Sequence, residues 1–211
     1  MVNNRIPRLS DKHKICMICE GNEEFQYIEK LKSLKVWNEQ YEIIPDNADG
    51  NGNIPARYQD SYQNDSYELV LVFCDTEKKP YEQYKDIKRK INEFHGIDTA
   101  AEEVIMFGNP CTMQIIIKHW TEAHIIKPAK AINAPLIEKY AGVKNYKGRA
   151  DQIAAVMEHI TTENYVDMCN RVRSLEMRDS VVGSSNFGRF LDYFGSDDTG
   201  WIDVINAKLD G

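Results

Sequence analysis

The hydrophobic pattern opens with a short unbroken apolar run, Ile15 to Cys19, which stops at Glu20 and the turn Gly21-Asn22. A run this short, bounded by turn signals, reads as a buried strand. From Glu23 the spacing lengthens. Phe25, Ile28 and Leu31 recur at three-residue steps with Tyr27 beside them, predicting a helix to about Leu34 whose first turn carries Glu23 and Glu24. Tyr41 to Ile44 reads as a short strand, and the polar stretch Pro45 to Ser66 as a loop with a helical turn or two around Ala56 to Tyr62. The most strand-like run of the chain is Glu68 to Cys74, and Asp75-Thr76-Glu77 follows it directly. Pro80 suits the first position of a helix to about His95, because Tyr81, Tyr84, Ile87, Ile91 and Phe94 recur at steps of three and four. Lys85, Lys88, Arg89 and Lys90 fill its solvated face.

Glu103 to Phe107 reads as a further strand, ending in Gly108-Asn109-Pro110. Thr112 then caps an apolar core helix, Met113 to about Trp120. From Lys127 onward the pattern is helical without a convincing strand. Gly148 to Ile160 is one helix, and Thr162 caps another with Tyr165, Met168, Val172 and Leu175 on its stripe. Ser184-Ser185 cap a third at Phe187, and Trp201 to Leu209 is the last. Strands alternating with helices, followed by helices alone, predict an α/β protein. Its mostly parallel sheet is flanked by helices, with a helical C-terminal part packed on it and no independent second domain.

Composition changes this picture little. The chain has 211 residues, 42% of them hydrophobic and 28% charged, enough for one substantial core. Of the five cysteines, Cys16, Cys19 and Cys74 lie inside apolar runs and read as buried reduced thiols. The C-M-I-C at 16 to 19 has zinc-knuckle spacing, but on a strand its thiols face opposite sides. Arg5, Arg8, Lys12 and Lys14 make the N-terminus basic without the apolar stretch of a signal peptide, and no run is long enough to span a membrane, so a cytoplasmic location is expected. A net charge of -7 argues against a broad basic surface that coats nucleic acid. It leaves room for an acidic site whose charge a bound metal offsets.

The chemistry concentrates at two strand ends. In a parallel sheet, ligands bind beyond the carboxyl ends of the strands, which is where Glu20 and Asp75-Thr76-Glu77 fall. If those strands are parallel neighbours, Glu20, Asp75 and Glu77 converge. Carboxylates brought that close repel one another unless a cation binds or protons stay on, and hard oxygen donors suit Mg²⁺ or Mn²⁺ rather than zinc. An ion so held, with open positions for water and phosphate oxygens, meets the requirement for phosphodiester hydrolysis. Other polar residues read as structural. His119 and His124 do not share a helical face, D-N-A-D-G-N-G-N lacks the spacing of a calcium loop, and no G-x-S-x-G context surrounds Ser184 or Ser185. A phosphoacceptor receiver needs an acidic pair after its first strand, where Glu20 stands alone.

Taken in order, E-G-N-E-E at 20 to 24, F-C-D-T-E at 73 to 77, G-N-P-C at 108 to 111 and N-Y-K-G at 145 to 148 resemble the RloB-like branch of the TOPRIM (OLD-nuclease-like) proteins. Members of that branch usually show E-G-x-x-T-E, D-x-D, S-N-P-x-F-E and Y-x-K. The resemblance covers roughly residues 14 to 150. It implies a TOPRIM-like core over residues 1–126 with the helical region, residues 127–211, packed on it as one unit. It further implies metal binding by Glu20, Asp75 and Glu77, with Glu20 doubling as general acid or base and Lys147 facing a phosphate. Asn109 and Gln114 would contact substrate, and Lys78, nearer in sequence to the metal residues, competes with Lys147 for the phosphate. The implied activity is a Mg²⁺- or Mn²⁺-dependent nuclease acting on DNA or RNA in prokaryotic defence against phage or mobile DNA, alongside a partner ATPase or other defence protein. The chain departs from the pattern at Glu77, which replaces the second Asp, in the T-E part of the first motif, where Glu23 and Glu24 follow Asn22, and in the F-E part of the third, where Thr112, Met113 and the neutral Gln114 follow Cys111. The last change removes a charge, so the alternative is a catalytically weakened module that binds nucleic acid or a partner protein.

Overall fold

The β-branched and aromatic runs become the strands of one parallel sheet. In this computed structural model, which describes residues 12–64 and 66–211, the elements begin with β1 (His13–Cys19), α1 (Asn22–Ser33), β2 (Tyr41–Asn47), α2 (Ile54–Gln63) and β3 (Leu69–Asp75). The chain continues through α3 (Glu82–His95), α4 (Ala100–Val104), β4 (Ile105–Gly108) and α5 (Met113–Ile116). The strand order is β2-β1-β3-β4, and every pairing is parallel. The two most apolar runs therefore lie side by side at the centre, with Ile15 opposite Leu69 and Cys19 opposite Phe73. Pro45 lies within β2, an edge strand, where a missing N–H need not interrupt a ladder. Arg5 and Arg8 lie outside the described residues.

Several boundaries differ from expectation. Residue Glu103 belongs to α4, and the strand beyond it begins only at Ile105. Pro80 does not open a helix: α3 starts at Glu82, behind a left-handed Tyr81. The second strand runs on to Asn47, and the loop after it contains a full helix, α2, with Ile54, Pro55 and Tyr58 buried. The core helix expected to reach Trp120 ends at Ile116 and tightens into a 3₁₀ turn, Ile117–His119. On α3 Lys85 pairs locally with Glu82, Arg89 with Asp86 and Glu93, and Lys90 with Asp86, as expected of a solvated face. Lys88 instead turns from that face to Asp179 at 2.8 Å and ties the helix to the 179–184 segment.

The C-terminal part is helical: α6 (Lys130–Ala141), α7 (Ala150–Glu158), α8 (Thr162–Arg173), α9 (Phe187–Gly195) and α10 (Gly200–Asp210). Helix α6 was not foreseen. Thr161, one residue before the expected cap, accepts the Asn164 amide at the start of α8. These helices close over the sheet. Tyr27 of α1, Phe73 of β3 and Phe187 of α9 form an aromatic triangle with centroids 5.5 to 6.5 Å apart. Trp201 Nε1 donates to the Tyr41 hydroxyl at 2.9 Å, seating α10 against the start of β2.

At the other edge, Asn186 Nδ2 donates to Ile105 O at 2.7 Å and its Oδ1 accepts from Phe107 N at 2.9 Å. Ser185 Oγ donates to Phe107 O at 2.7 Å and accepts from Phe187 N. Residues 185 and 186 thus stand in for a fifth strand beside β4. All five cysteines are buried and free. No helix among the described residues is long and apolar enough to cross a membrane.

Candidate functional site: a carboxylate cluster at the ends of two parallel strands

The pairing of β1 with β3 determines what Glu20 meets. Its backbone N–H continues the ladder to Phe73 O at 2.9 Å, and its carboxylate reaches across the end of β3 to accept the Asp75 amide at 2.8 Å. With its amide turned to donate, Asn51 Nδ2 lies 2.6 and 2.7 Å from the two Glu20 oxygens. Asp75, the last residue of β3, turns Oδ1 toward Thr112, whose backbone N–H donates at 2.5 Å and whose hydroxyl donates at 2.9 Å. That contact needs the chain after β4 to fold back closely. A Cβ on Gly108 would sit 2.6 Å from Cys111 O, so glycine is required there. Thr112 therefore serves Asp75 and does not cap α5 through its side chain.

The third carboxyl is Glu24, on the first turn of α1, where it accepts the Gly21 N–H at 3.1 Å and also faces the Thr112 hydroxyl. One hydroxyl proton thus stands between two carboxyl groups, Asp75 and Glu24. Glu23 is beside them, only 4% exposed, and takes the Tyr146 hydroxyl at 2.5 Å together with the Lys130 ammonium. The electrostatics follow from this crowding. Burial first, then the neighbouring Glu24 charge, push the Glu20 carboxyl up to about 8. Burial and Glu23 push Glu24 up to about 7, and burial with Glu24, Glu20 and Glu23 holds Asp75 well above the usual carboxylate range. Burial disfavours the Lys130 cation, but Glu23, with Asp75 and Glu24 behind it, more than offsets this and raises its pKa.

The structure therefore brings Glu20 and Asp75 together as the strand pattern implied and places the remaining expected residues differently. Glu77 follows in a left-handed turn with its amide bonded to Pro110 O; its charge reaches Glu20, but Glu24 is the carboxylate crowded against Asp75. Lys78 is exposed on the same turn. Lys147 is exposed too, outside the carboxylate group, while its neighbours Tyr146 and Gly148 line it. Asn109 is fully buried and pins the 179–184 segment to the sheet, its Nδ2 donating to Asp179 O at 2.6 Å. Gln114 is also fully buried. Its Nε2 donates to Gly183 O at 2.8 Å, its Oε1 accepts Ile125 N at 2.7 Å, and its amide faces His124 Nδ1 at 3.1 Å, so it joins two loops and faces no open site. His119 is an internal joint between Tyr27 and Asn164; burial lowers its pKa to about 4 and keeps the ring neutral.

A hard divalent cation asks for oxygen donors and net negative charge, and Glu20, Glu24 and Asp75 supply both. Mutual repulsion in this group is relieved by one ammonium and by protons, and an ion that takes the place of those protons would neutralise the same charge. In the arrangement seen, the oxygens are turned to internal donors. No group of three or more His, Cys, Asp or Glu side chains among the described residues is placed to hold a metal. The donor set fits such an ion in kind and in charge, and binding would turn these side chains from their present partners. Compared with known proteins, the chain matches no family model, no curated protein and no solved structure.

Proposed function

We propose that this protein is a Mg²⁺- or Mn²⁺-dependent hydrolase of nucleic-acid phosphodiesters whose ion is held by Glu20, Glu24 and Asp75. One observation carries the reading: Glu20 and Asp75, at the ends of adjacent parallel strands, are packed together with Glu24 of the first turn of α1, and this crowding and burial raise the pKa of all three. Carboxyl groups perturbed by burial and by one another, in the crevice beyond the strand ends of a parallel sheet, are candidates for a functional site. A bound ion would supply Lewis-acid stabilisation of a phosphoryl oxygen. The chain's own groups supply the rest. Glu20, partly open to solvent, can exchange a proton with a reacting water or leaving oxygen through a carboxyl oxygen not bound to the ion. The Asp75 amide and Thr112 fix the geometry of Glu20 and Asp75. Exposed Lys78 and Lys79, on the turn that leaves β3, suit a phosphate backbone approaching an otherwise acidic surface. The resemblance of the stretches around Glu20 and Asp75 to the RloB-like branch supports the same reading and a role in defence.

A second reading, a module that binds nucleic acid or a partner protein without cleaving it, draws on the turned-in oxygens of the cluster and on the structural use of Gln114. Calorimetric titration with Mn²⁺, followed by incubation with labelled DNA, transfer RNA and plasmid, separates the two. The hydrolase binds the ion and cuts at least one substrate, and Asp75→Asn abolishes both while the protein stays folded, since an Asn oxygen can still accept the Thr112 amide. Unfolding of Asp75→Asn, or no cleavage by the unmodified protein on any substrate, removes the hydrolase reading.

A further inference from the structure

The cluster already contains a cation, and the fold makes specific provision for it. Lys130 opens α6 and meets Glu23 across 107 residues of sequence. Its stem lies against Gly148, where an added Cβ would come within 2.7 Å of Cδ and 2.9 Å of Nζ, and whose φ of +71° also favours glycine. Tyr146, two residues earlier, holds the other Glu23 oxygen at 2.5 Å. The N-Y-K-G stretch thus forms a seat for the side chain of Lys130. The cavity beside it, lined by Glu23, Cys111, Met113, Lys130, Asn133 and Tyr146, has room for about one water molecule, so the ammonium faces Glu23 and not a solvent pool. The two partners differ in access: the Glu23 side chain is 5% exposed and that of Lys130 is 38%. Lysine can leave to water on its flexible stem, whereas the carboxylates cannot.

We infer that Lys130 is the resident counter-ion of the strand-end carboxylates, that it competes with a divalent cation for their charge, and that it is released to solvent when the ion binds. The inference rests on the metal reading proposed above. A single ammonium faces four carboxyl groups, Glu20, Glu23, Glu24 and Asp75, so once these give up their protons a doubly charged ion is the better neutraliser and gains by displacing it. Lys130 then acts as a positioning residue that keeps the metal-free site assembled and holds the ion affinity down.

Two measurements on the full-length protein test this. Calorimetric titration with Mn²⁺ should show Lys130→Met binding about 10-fold or more tightly than the unmodified protein, because a competing charge is gone. Gly148→Ala, which unseats Lys130 without deleting it, should shift affinity in the same direction and serves if Lys130→Met does not fold. Amine acylation read by mass spectrometry should show Lys130 labelling several-fold faster with Mn²⁺ than without, while exposed Lys147 stays constant as the internal reference. Equal or weaker Mn²⁺ binding by both variants, or Lys130 labelling unchanged when the unmodified protein is saturated with Mn²⁺, overturns the counter-ion inference alone. If neither the unmodified protein nor any variant binds Mn²⁺, the metal reading falls and the displacement with it.

Discussion

Position 114 shows how one functional group can determine what a residue does. The amide of Gln114 both donates, to Gly183 O, and accepts, from Ile125 N, in a site closed to solvent. A glutamate there would set a carboxylate oxygen against a carbonyl and bury a charge. We therefore expect Gln114→Glu to destabilise the protein by about 2 to 4 kcal/mol, seen as a lowered urea midpoint, without tightening Mn²⁺ binding. A stable variant with stronger ion binding would return position 114 to the site. Glu20 and Asp75 were legible in the sequence because a carboxylate directly after an apolar run is anomalous. Glu23 and Glu24 were not. Acids in the first turn of a helix already have an ordinary explanation in the macrodipole, and nothing local reveals that both are buried. Lys130 carries no local signal, because its meaning depends on a partner more than a hundred residues away.

At the scale of elements, the central strands and the amphipathic helices followed from periodicity, since their burial patterns repeat with the spacing of the backbone. Helix α6 was hidden because Pro135 lies inside it and its apolar residues form no single stripe. The start of β4 was misplaced because Glu103 and Val104 complete a short helix that runs straight into the strand. The edge of β4 is the element most dependent on the rest of the chain. It is finished by side-chain and main-chain groups of residues 184–186, and the Asn186 amide imitates a strand by serving one N–H and one C=O of the same neighbour. Asn186→Ala should leave Phe107 N and Ile105 O without partners, at a cost of about 2 to 3 kcal/mol. Urea unfolding should show a lower midpoint at unchanged slope. A loss under about 0.5 kcal/mol would mean that water replaces the amide there.

For the whole molecule, the cluster couples stability to pH. Glu20, Glu24 and Asp75 have folded-state pKa values raised above their unfolded ones, so their stabilising contribution is complete below about pH 4.5. It is lost as pH rises through about 7 to 8, where Glu24 and Glu20 ionise. The melting temperature of the metal-free protein should therefore fall between pH 5 and pH 8. Asp75→Asn should flatten that fall, and Mn²⁺ should raise the melting temperature most at pH 8. A profile that rises over this interval, in the protein and the variant alike, would show that the carboxyl groups are already ionised in the fold. The finishing of β4 by residues 184–186 also has a consequence in time. A ribosome releases β4 long before it releases Asn186, so in the interval between them the nascent sheet carries an open parallel edge at Ile105–Gly108, next to carboxylates whose lysine emerges within that interval. The growing chain is thus exposed to wrong pairing at that edge until residues 184–186 emerge and seal the sheet.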